Sequence, residues 1–473
     1  MLTLADITEA LTGIRPPWAD QVVTDALIDS RYTIPGSLFV ALPGERVDGH
    51  DFVEDAFARG ASFAFVQRDP SGGNPVLDLR VVARPEDIAP PEAPLAIRVD
   101  DTLQALQQVA RFWRRKLNLR VIGITGSVGK STTKELAASV LEQRYSTLKN
   151  SGNLNNEIGL PLTILRLSEG HQRAVLEMGL YIPGDIAFLC DLAKPQVGVV
   201  TNVGTVHAER AGSQEAIARG KAELVQALPP APEGVAILNY DDPWVRDMAG
   251  QTQARVFYYG LEPHADLWAD QVEGLGLEGI RFRLHYRSEI LHLRVPLIGR
   301  HSVHTALRAA AVGLVEGLTW QEIVNGLRSG HTQLRLVAVR AESGALLLDD
   351  TYNASPQSML AALNLLDEMD GRKIAVLGDM LELGRYERLG HEKVGIRAAE
   401  VADEIVTIGE RGRMIATAAR QAWFPRQAIT ELDDSDQAIE FLRDHLQEND
   451  VVLVKGSRGM CMDRIVAVLE TRQ

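Results

Sequence analysis

Residues 119–133, LRVIGITGSVGKSTT, place a lysine and two hydroxyls directly after a glycine turn. The apolar, β-branched run at 121–124 reads as a buried strand, and a helical pattern follows over 134–143. Strand, glycine loop and helix N-terminus together suit a nucleotide phosphate. Glycines let backbone N–H groups approach the oxygens, and the helix dipole favours the anion. Thr125, Gly126, Ser127, Val128, Gly129 and Thr132 form the cradle, in which Lys130 reaches the outer phosphates and Ser131 Oγ ligates Mg²⁺. The spacing is a short form: Ile124 stands where the longer pattern has a glycine, and Gly126 comes three positions before Gly129. The bland alternative is a strand-to-helix turn with a solvated lysine. A Lys-Ser-Thr triplet behind two glycines, at the end of a buried-type strand, disfavours it.

Other polar clusters invite the same question. The run KNSGNLNNEIGLP, 149–161, carries Asn153, Asn155 and Asn156. Asparagine favours turns, yet its density after the next expected strand favours a ligand-facing loop. Glu177 ends the run RAVLEM, and a carboxylate there is a reasonable Mg²⁺ ligand. His207 follows a strand and a turn, and Lys221 lies on a helical stretch over 214–228. By themselves these two read as a hydrogen-bonded structural histidine and a solvated lysine. Arg335 suits a phosphate in fork geometry. DDTYNASP at 349–356 contains Asp350 and Asn353, GDMLELG fills 378–384, and KGSRGM at 455–460 contains Ser457 and Arg458. Lys455, Ser457 and Arg458 look like carboxylate or phosphate binders. In the segment 29–52, Ser30, Arg31 and the Gly49-His50 turn are candidates for an anion site, against a hairpin with solvated charges.

These residues need elements to hold them. The chain of 473 residues is long enough for about three domains. Its 45% apolar content supports a substantial core rather than disorder. The first segment, 1–99, mixes short strands and turns, with a Pro-, Gly- and Asp-rich stretch at 70–94 that reads as a loop or boundary. The second, 100–333, opens with a helix over 102–117 and alternates strands at 173–178, 197–203 and 234–239 with helices. That alternation predicts a parallel α/β sheet, and 257–295 reads as a small antiparallel element. The third, 334–473, has short buried-type strands at 345–348, 374–377, 405–408 and 451–454, each followed by polar residues. In open parallel sheets, ligands bind beyond the carboxyl ends of the strands.

The net charge of −14 argues against a general nucleic-acid or membrane-surface binder, though a local basic pocket can still hold an anion. Two distant cysteines suggest a reducing cytosol without a disulfide framework. The first residues lack the pattern of a signal peptide, and no apolar run approaches membrane-spanning length. The expectation is a cytoplasmic protein.

Taken in order, these motifs resemble the Mur ligases of peptidoglycan synthesis over essentially the whole chain. The resemblance rests on Asp29-Ser30-Arg31 with Asp48-Gly49-His50, the phosphate loop, and Asn153-Leu154-Asn155-Asn156. It continues through Glu177-Met178-Gly179, Thr201-Asn202 leading to His207 and Lys221, and Asp350 to Pro356. It ends on Gly378-Asp379-Met380 and Lys455-Gly456-Ser457-Arg458. Tyr352-Asn353-Ala354-Ser355-Pro356 and the Lys-Gly-Ser-Arg ending favour the branch that takes D-alanyl-D-alanine over the tripeptide-forming branch. Three positions depart from the family pattern. Ser302 and Thr305 replace the two asparagines that usually meet adenine, although His301 remains, and Ser355 stands where asparagine is more usual.

The resemblance implies an α/β protein of three domains: a small UDP-binding N-terminal domain, a central P-loop ATPase domain with a parallel sheet, and a C-terminal Rossmann-like domain. It implies ATP-dependent amide formation between UDP-N-acetylmuramoyl-tripeptide and D-alanyl-D-alanine through an acyl phosphate. Lys130 would hold phosphates, and Ser131 and Glu177 one Mg²⁺. A carbamylated Lys221, with His207, would hold a second Mg²⁺. Arg335 and Asp350 would reach phosphate and ribose, with His301 near adenine. Ser30, Arg31, Gly49 and His50 would hold the uridine diphosphate end. Asn153, Asn155 and Asn156 would face substrate, while Asn353, Ser457 and Arg458 would lie near the dipeptide. The enzyme is expected to act as a monomer, without nucleic acid or membrane insertion. The competing readings are another three-domain amide ligase of the Mur or folylpolyglutamate type, and a non-catalytic nucleotide switch.

Overall fold

The computed structural model describes residues 1–473 except 18, 45–46, 82–92, 206–207, 330–336 and 471–473. In the first segment, β1 (Ala26–Leu27), β2 (Leu38–Val40), β3 (Phe63–Val66), β4 (Val76–Asp78) and β5 (Leu95–Arg98) make a parallel sheet. Their order is β1-β2-β3-β5-β4. Strand β3, Phe-Ala-Phe-Val, is buried throughout, as expected where both faces of a parallel sheet are covered. Strand β4 lies inside the stretch expected as loop. Its three residues are too short to show a pattern, and pairing with β5 makes the strand.

The middle sheet holds β6 (Arg120–Thr125), β7 (Thr147–Lys149), β8 (Arg173–Glu177), β9 (Val197–Val200), β10 (Val235–Asn239), β11 (Arg255–Gly260), β12 (Leu267–Gly274), β13 (Ile280–Tyr286) and β14 (Glu289–Val295). Its order is β14-β13-β12-β11-β10-β9-β6-β8-β7. Strands β6 to β12 pair in parallel, and β12, β13 and β14 form an antiparallel meander at the edge. The expected antiparallel element is therefore part of this sheet, and β11 belongs to its parallel portion. The chain moves from β6 to β8 on one side and returns to β9 on the other. Loops leaving β6, β8 and β9 thus meet at a topological switch point.

The last sheet holds β15 (Val337–Arg340), β16 (Leu346–Asp349), β17 (Arg372–Gly378), β18 (Glu404–Ile408), β19 (Ile429–Leu432) and β20 (Asp450–Lys455), in the order β15-β16-β20-β17-β18-β19. Only β15 is antiparallel among these described strands. Strands β16, β20 and β17 are neighbours, so the tails after Asp349, Lys455 and Gly378 leave the same end of the sheet.

The helix Thr102–Lys116 joins the first two sheets. Asp101 caps its first turn by accepting from Gln104 N, and Arg114, Arg115 and Lys116 occupy its last turn, where the dipole favours cations. Val109 and Trp113 from this helix share one core with Phe63 and Ile97 of the first sheet and Leu176 of the second. No helix among the described residues is long and apolar enough to cross a membrane.

Candidate active site

Two expected elements end differently from their sequence pattern, and both differences build the phosphate loop. The helix after β6 runs Lys130–Leu141, starting four residues before the apolar periodicity does. Gly129 sets that start from the left-handed region, φ +82°, which side chains disfavour. Strand β9 stops at Val200, short of the expected 203, because the next residues turn to grip the loop. Thr201 Oγ1 donates to Val128 O at 2.7 Å, and Asn202 Oδ1 accepts from Val128 N at 2.9 Å. Asn202 O accepts from Ser127 N. A Cβ on Gly126 would stand 1.8 Å from Thr201 Oγ1, so only glycine fits there. Thr201 and Asn202 carried no separate role in the sequence reading, and their polar character at a strand end was the available signal.

Lys130 Nζ donates to Gly126 O at 2.8 Å, which holds the ammonium against the loop. On the neighbouring strand, Ile124 pairs with Glu177, so Glu177 leaves β8 beside the loop. Glu177 is buried. Its Oε1 accepts from Asn155 Nδ2 at 2.8 Å, and its Oε2 is buried with no hydrogen-bond partner. Asn150 fixes the backbone of the same residue, accepting from Glu177 N at 2.9 Å and donating to Glu177 O at 3.2 Å. Lys134, buried on the phosphate-loop helix, in turn donates to Asn150 O at 2.7 Å.

Lys221 is buried on the helix Gln214–Gln226. Burial, reinforced by the nearby Lys130 charge, drives its amine well below the usual lysine range. A neutral amine is what reaction with carbon dioxide requires. His207 and Arg335 lie outside the described residues. Among those described, no three His, Cys, Asp or Glu side chains cluster as a ready-made metal site.

The loop faces the last sheet across a cleft. Its walls include Ser127, Gly129, Lys130, Ser131 and Thr132 on one side and Asp350, Asn353 and Lys455 on the other. Lys455 is buried, 2.7 Å from Asp350 Oδ2 and donating to Asn353 O at 2.9 Å. It therefore binds its own domain's turn rather than standing ready for a ligand. Ser457, also buried, accepts from Leu381 N at 2.8 Å, which anchors the 378–384 loop. Arg458 lies over the Tyr352 ring at 5.9 Å. Asn353 Oδ1 accepts from Ala354 N, and Ser355 caps the helix Pro356–Asp367 in a reciprocal box with Ser358. Serine serves that cap as well as asparagine would.

His301, Ser302 and Thr305 line another part of the wall of this cleft. The His301 ring opens onto the cleft. Desolvation by the surrounding protein, with the charges of His304, Arg308 and Lys455, pushes its pKa down to about 4 and favours the neutral ring. Ser302 Oγ donates to Ile298 O, and Thr305 Oγ1 accepts from Arg308, so both substituted hydroxyls bond within the protein.

The remaining candidates lie apart from this cleft. Gly49 packs where a Cβ would meet Leu42 N at 2.7 Å. His50 has both ring nitrogens occupied, Nδ1 by Asp48 at 2.6 Å and Nε2 by Gln67 N at 2.9 Å. The ring thus orders its own domain. The segment is not a hairpin: β1 and β2 are parallel, and Ser30 is buried. Arg31 is exposed and paired to Asp29 at 2.6 Å. Asn156 Oδ1 accepts from Gly159 N at the start of the helix Gly159–Leu165, and Asn153 is the exposed member of the three.

Residues 124–313 match the family described as Mur ligase middle domain, 334–458 the Mur ligase, glutamate ligase domain, and 23–114 the Mur ligase family, catalytic domain. The UDP-N-acetylmuramoyl-tripeptide–D-alanyl-D-alanine ligase of Bacillus subtilis is 36% identical, over 98% of this chain and 97% of its own. The MurF structure from Acinetobacter baumannii superposes with a TM-score of 0.82 at 31% identity, covering 98% of each chain. The MurF ligase of Thermotoga maritima, solved in complex with ADP, gives a TM-score of 0.76 at 28% identity, covering 95% of this chain and 98% of that one.

Proposed function

This chain belongs to the Mur ligase family, and we propose that it joins D-alanyl-D-alanine to UDP-N-acetylmuramoyl-tripeptide, converting ATP to ADP and phosphate. The observation that carries the reading is the single cleft lined by the phosphate loop and by Asp350, Asn353 and Lys455 of the last sheet. ATP held there is touched by two domains, so its γ-phosphate can be fixed only when both are in place. The proposed division is 1–99 for the UDP-linked substrate, 100–333 for ATP, and 334–473 for the dipeptide and closure over ATP. The active unit is read as one chain in the cytoplasm, where ATP is available.

The terminal carboxylate of the tripeptide attacks the γ-phosphorus, the bond to the β–γ bridging oxygen breaks, and an acyl phosphate forms. The dipeptide amine then attacks the acyl carbon, phosphate leaves with the bonding pair, and the amine loses a proton. Phosphoryl transfer asks the protein for positioning and charge neutralisation. Lys130 and the positive end of the Lys130–Leu141 helix answer the charge on the phosphates. The neutral His301 borders adenine without adding charge.

The donor set suits Mg²⁺: the partnerless, buried Glu177 Oε2 is an oxygen lacking a cation, and Ser131 lies in the first turn of the adjoining helix. These two residues would hold the ion, which would neutralise phosphate oxygens. A second ion would be held by Lys221 as its carbamate, with His207. Burial supports that reading, since a neutral Lys221 amine can add to carbon dioxide, releasing a proton and becoming an anion.

Phosphate release with ATP and Mg²⁺ tests the function, with the UDP-muramoyl tripeptide and D-alanyl-D-alanine added singly and together. Both the meso-diaminopimelate and lysine tripeptides belong in the assay. Release that requires both substrates, with a pentapeptide product by mass, is expected. Release indifferent to the dipeptide would defeat the reading.

A further inference from the structure

We propose that Arg308 is a positioning residue of the nucleotide site: from behind the phosphate loop it holds Gly129 in place and supplies positive charge that bound polyphosphate neutralises. The inference deepens the ATP reading above and rests on it.

Arg308 lies on the helix Val303–Val315 and is buried. Its partners are three neutral hydroxyls. Nε donates to Thr133 Oγ1 at 2.8 Å, Nη2 to Thr305 Oγ1 at 2.8 Å, and Nη1 to Tyr259 OH at 3.4 Å. Among the described residues it makes no ion pair, and the Tyr259 ring lies 5.7 Å from the guanidinium carbon.

Two of those hydroxyls pass the contact on to the loop. Thr133 Oγ1 donates to Gly129 O at 2.6 Å. Tyr259 OH donates to Thr201 O at 3.2 Å, and the Thr201 hydroxyl donates to Val128 O at 2.7 Å. Nη2 itself stands 3.0 Å from where a Cβ on Gly129 would be, so the guanidinium lies directly against the loop.

Burying a charge without a counter-charge is unfavourable. A neutral amide could donate to two of these hydroxyls without that cost. The positive charge becomes useful when an anion arrives on the other side of Gly129, in a site of low dielectric where the attraction is little screened. Thr305, one of the two departures from the family's adenine motif, serves this arrangement by accepting from Nη2.

The test is calorimetric titration of the full chain with ADP and Mg²⁺, without acceptor substrates, for wild type, R308M, R308Q and R308K. Loss of the charge in R308M and R308Q should weaken ADP binding about tenfold, with R308K within about threefold of wild type. R308Q keeps hydrogen bonding without charge, so it carries the test if R308M does not fold. R308Q binding ADP as tightly as wild type would overturn the proposal, whatever its thermal midpoint. Failure of the wild type to bind ADP would instead overturn the nucleotide reading, and this inference with it.

Discussion

Asn155 Nδ2 donates to Glu177 Oε1 at 2.8 Å, and the other oxygen of that carboxylate is left buried and without a partner. The amide thereby fixes which oxygen is available and where it points. Asn155, expected to face substrate, acts in this structure on the carboxylate that would meet the metal.

Asn155→Ala should therefore raise the Mg²⁺ concentration for half-maximal activity by about 10–100-fold, the usual effect of removing a group that orients a metal ligand. Manganese binding to the ADP complex, followed by paramagnetic resonance, should weaken in parallel. The KM for the UDP-linked tripeptide should stay near wild type. A changed substrate KM with unchanged metal dependence would return Asn155 to the substrate.

Lys221→Met should abolish ligation yet stabilise the protein in carbon-dioxide-depleted buffer near neutral pH. Burial lowers the pKa of the amine well below its unfolded value, so folding releases a proton between the two values and stability rises with pH up to the ordinary lysine range. Methionine removes both that penalty and that slope. Thermal midpoints measured from pH 7 to 9.5 check this; a lower midpoint with the slope intact would contradict it. Lys221→Ala should regain some activity with short carboxylic acids.

His301 gives a pH dependence at the acid end. Its pKa falls from 6.5 to about 4 on folding, so the unfolded chain binds the extra proton between those values and stability is lost as pH falls through that window. His301→Asn should unfold less readily than wild type at pH 4.5 relative to pH 7. Equal acid sensitivity of the two proteins would refute the assignment.

Glu316 tests the frame rather than the chemistry. Its side chain is 1% exposed and sits between Arg120 Nε at 3.0 Å and Arg173 Nε at 2.5 Å. Replacement by glutamine leaves two cations short of their anion and should cost about 3 kcal/mol in urea unfolding. Nucleotide affinity at 25 °C should be unaffected, since β6 and β8 meet these residues at the end opposite the loop.

Much of this was legible because it is local. The glycine turn, the β-branched strand before it and the polar residues after each parallel strand are contiguous in sequence, and the sheet rule then assembles them. Arg308 was not legible. Its partners Thr133 and Tyr259 are 175 and 49 positions away, and on an alanine-rich helix it looked like one more charged residue. The His50 contacts were hidden for a related reason: Gln67, which occupies its ring, is 17 positions on. Strand β4 escaped because pairing, not propensity, creates it.

The grip of Thr201 and Asn202 on the phosphate loop has a kinetic corollary. The amides of Ser127 and Val128 already have acceptors on Asn202, so the loop's shape does not wait for nucleotide. An arriving nucleotide then meets a rigid, finished receptor with little chain entropy left to lose. Loop variants that still fold should accordingly share nearly the same association rate and differ in how long the nucleotide stays.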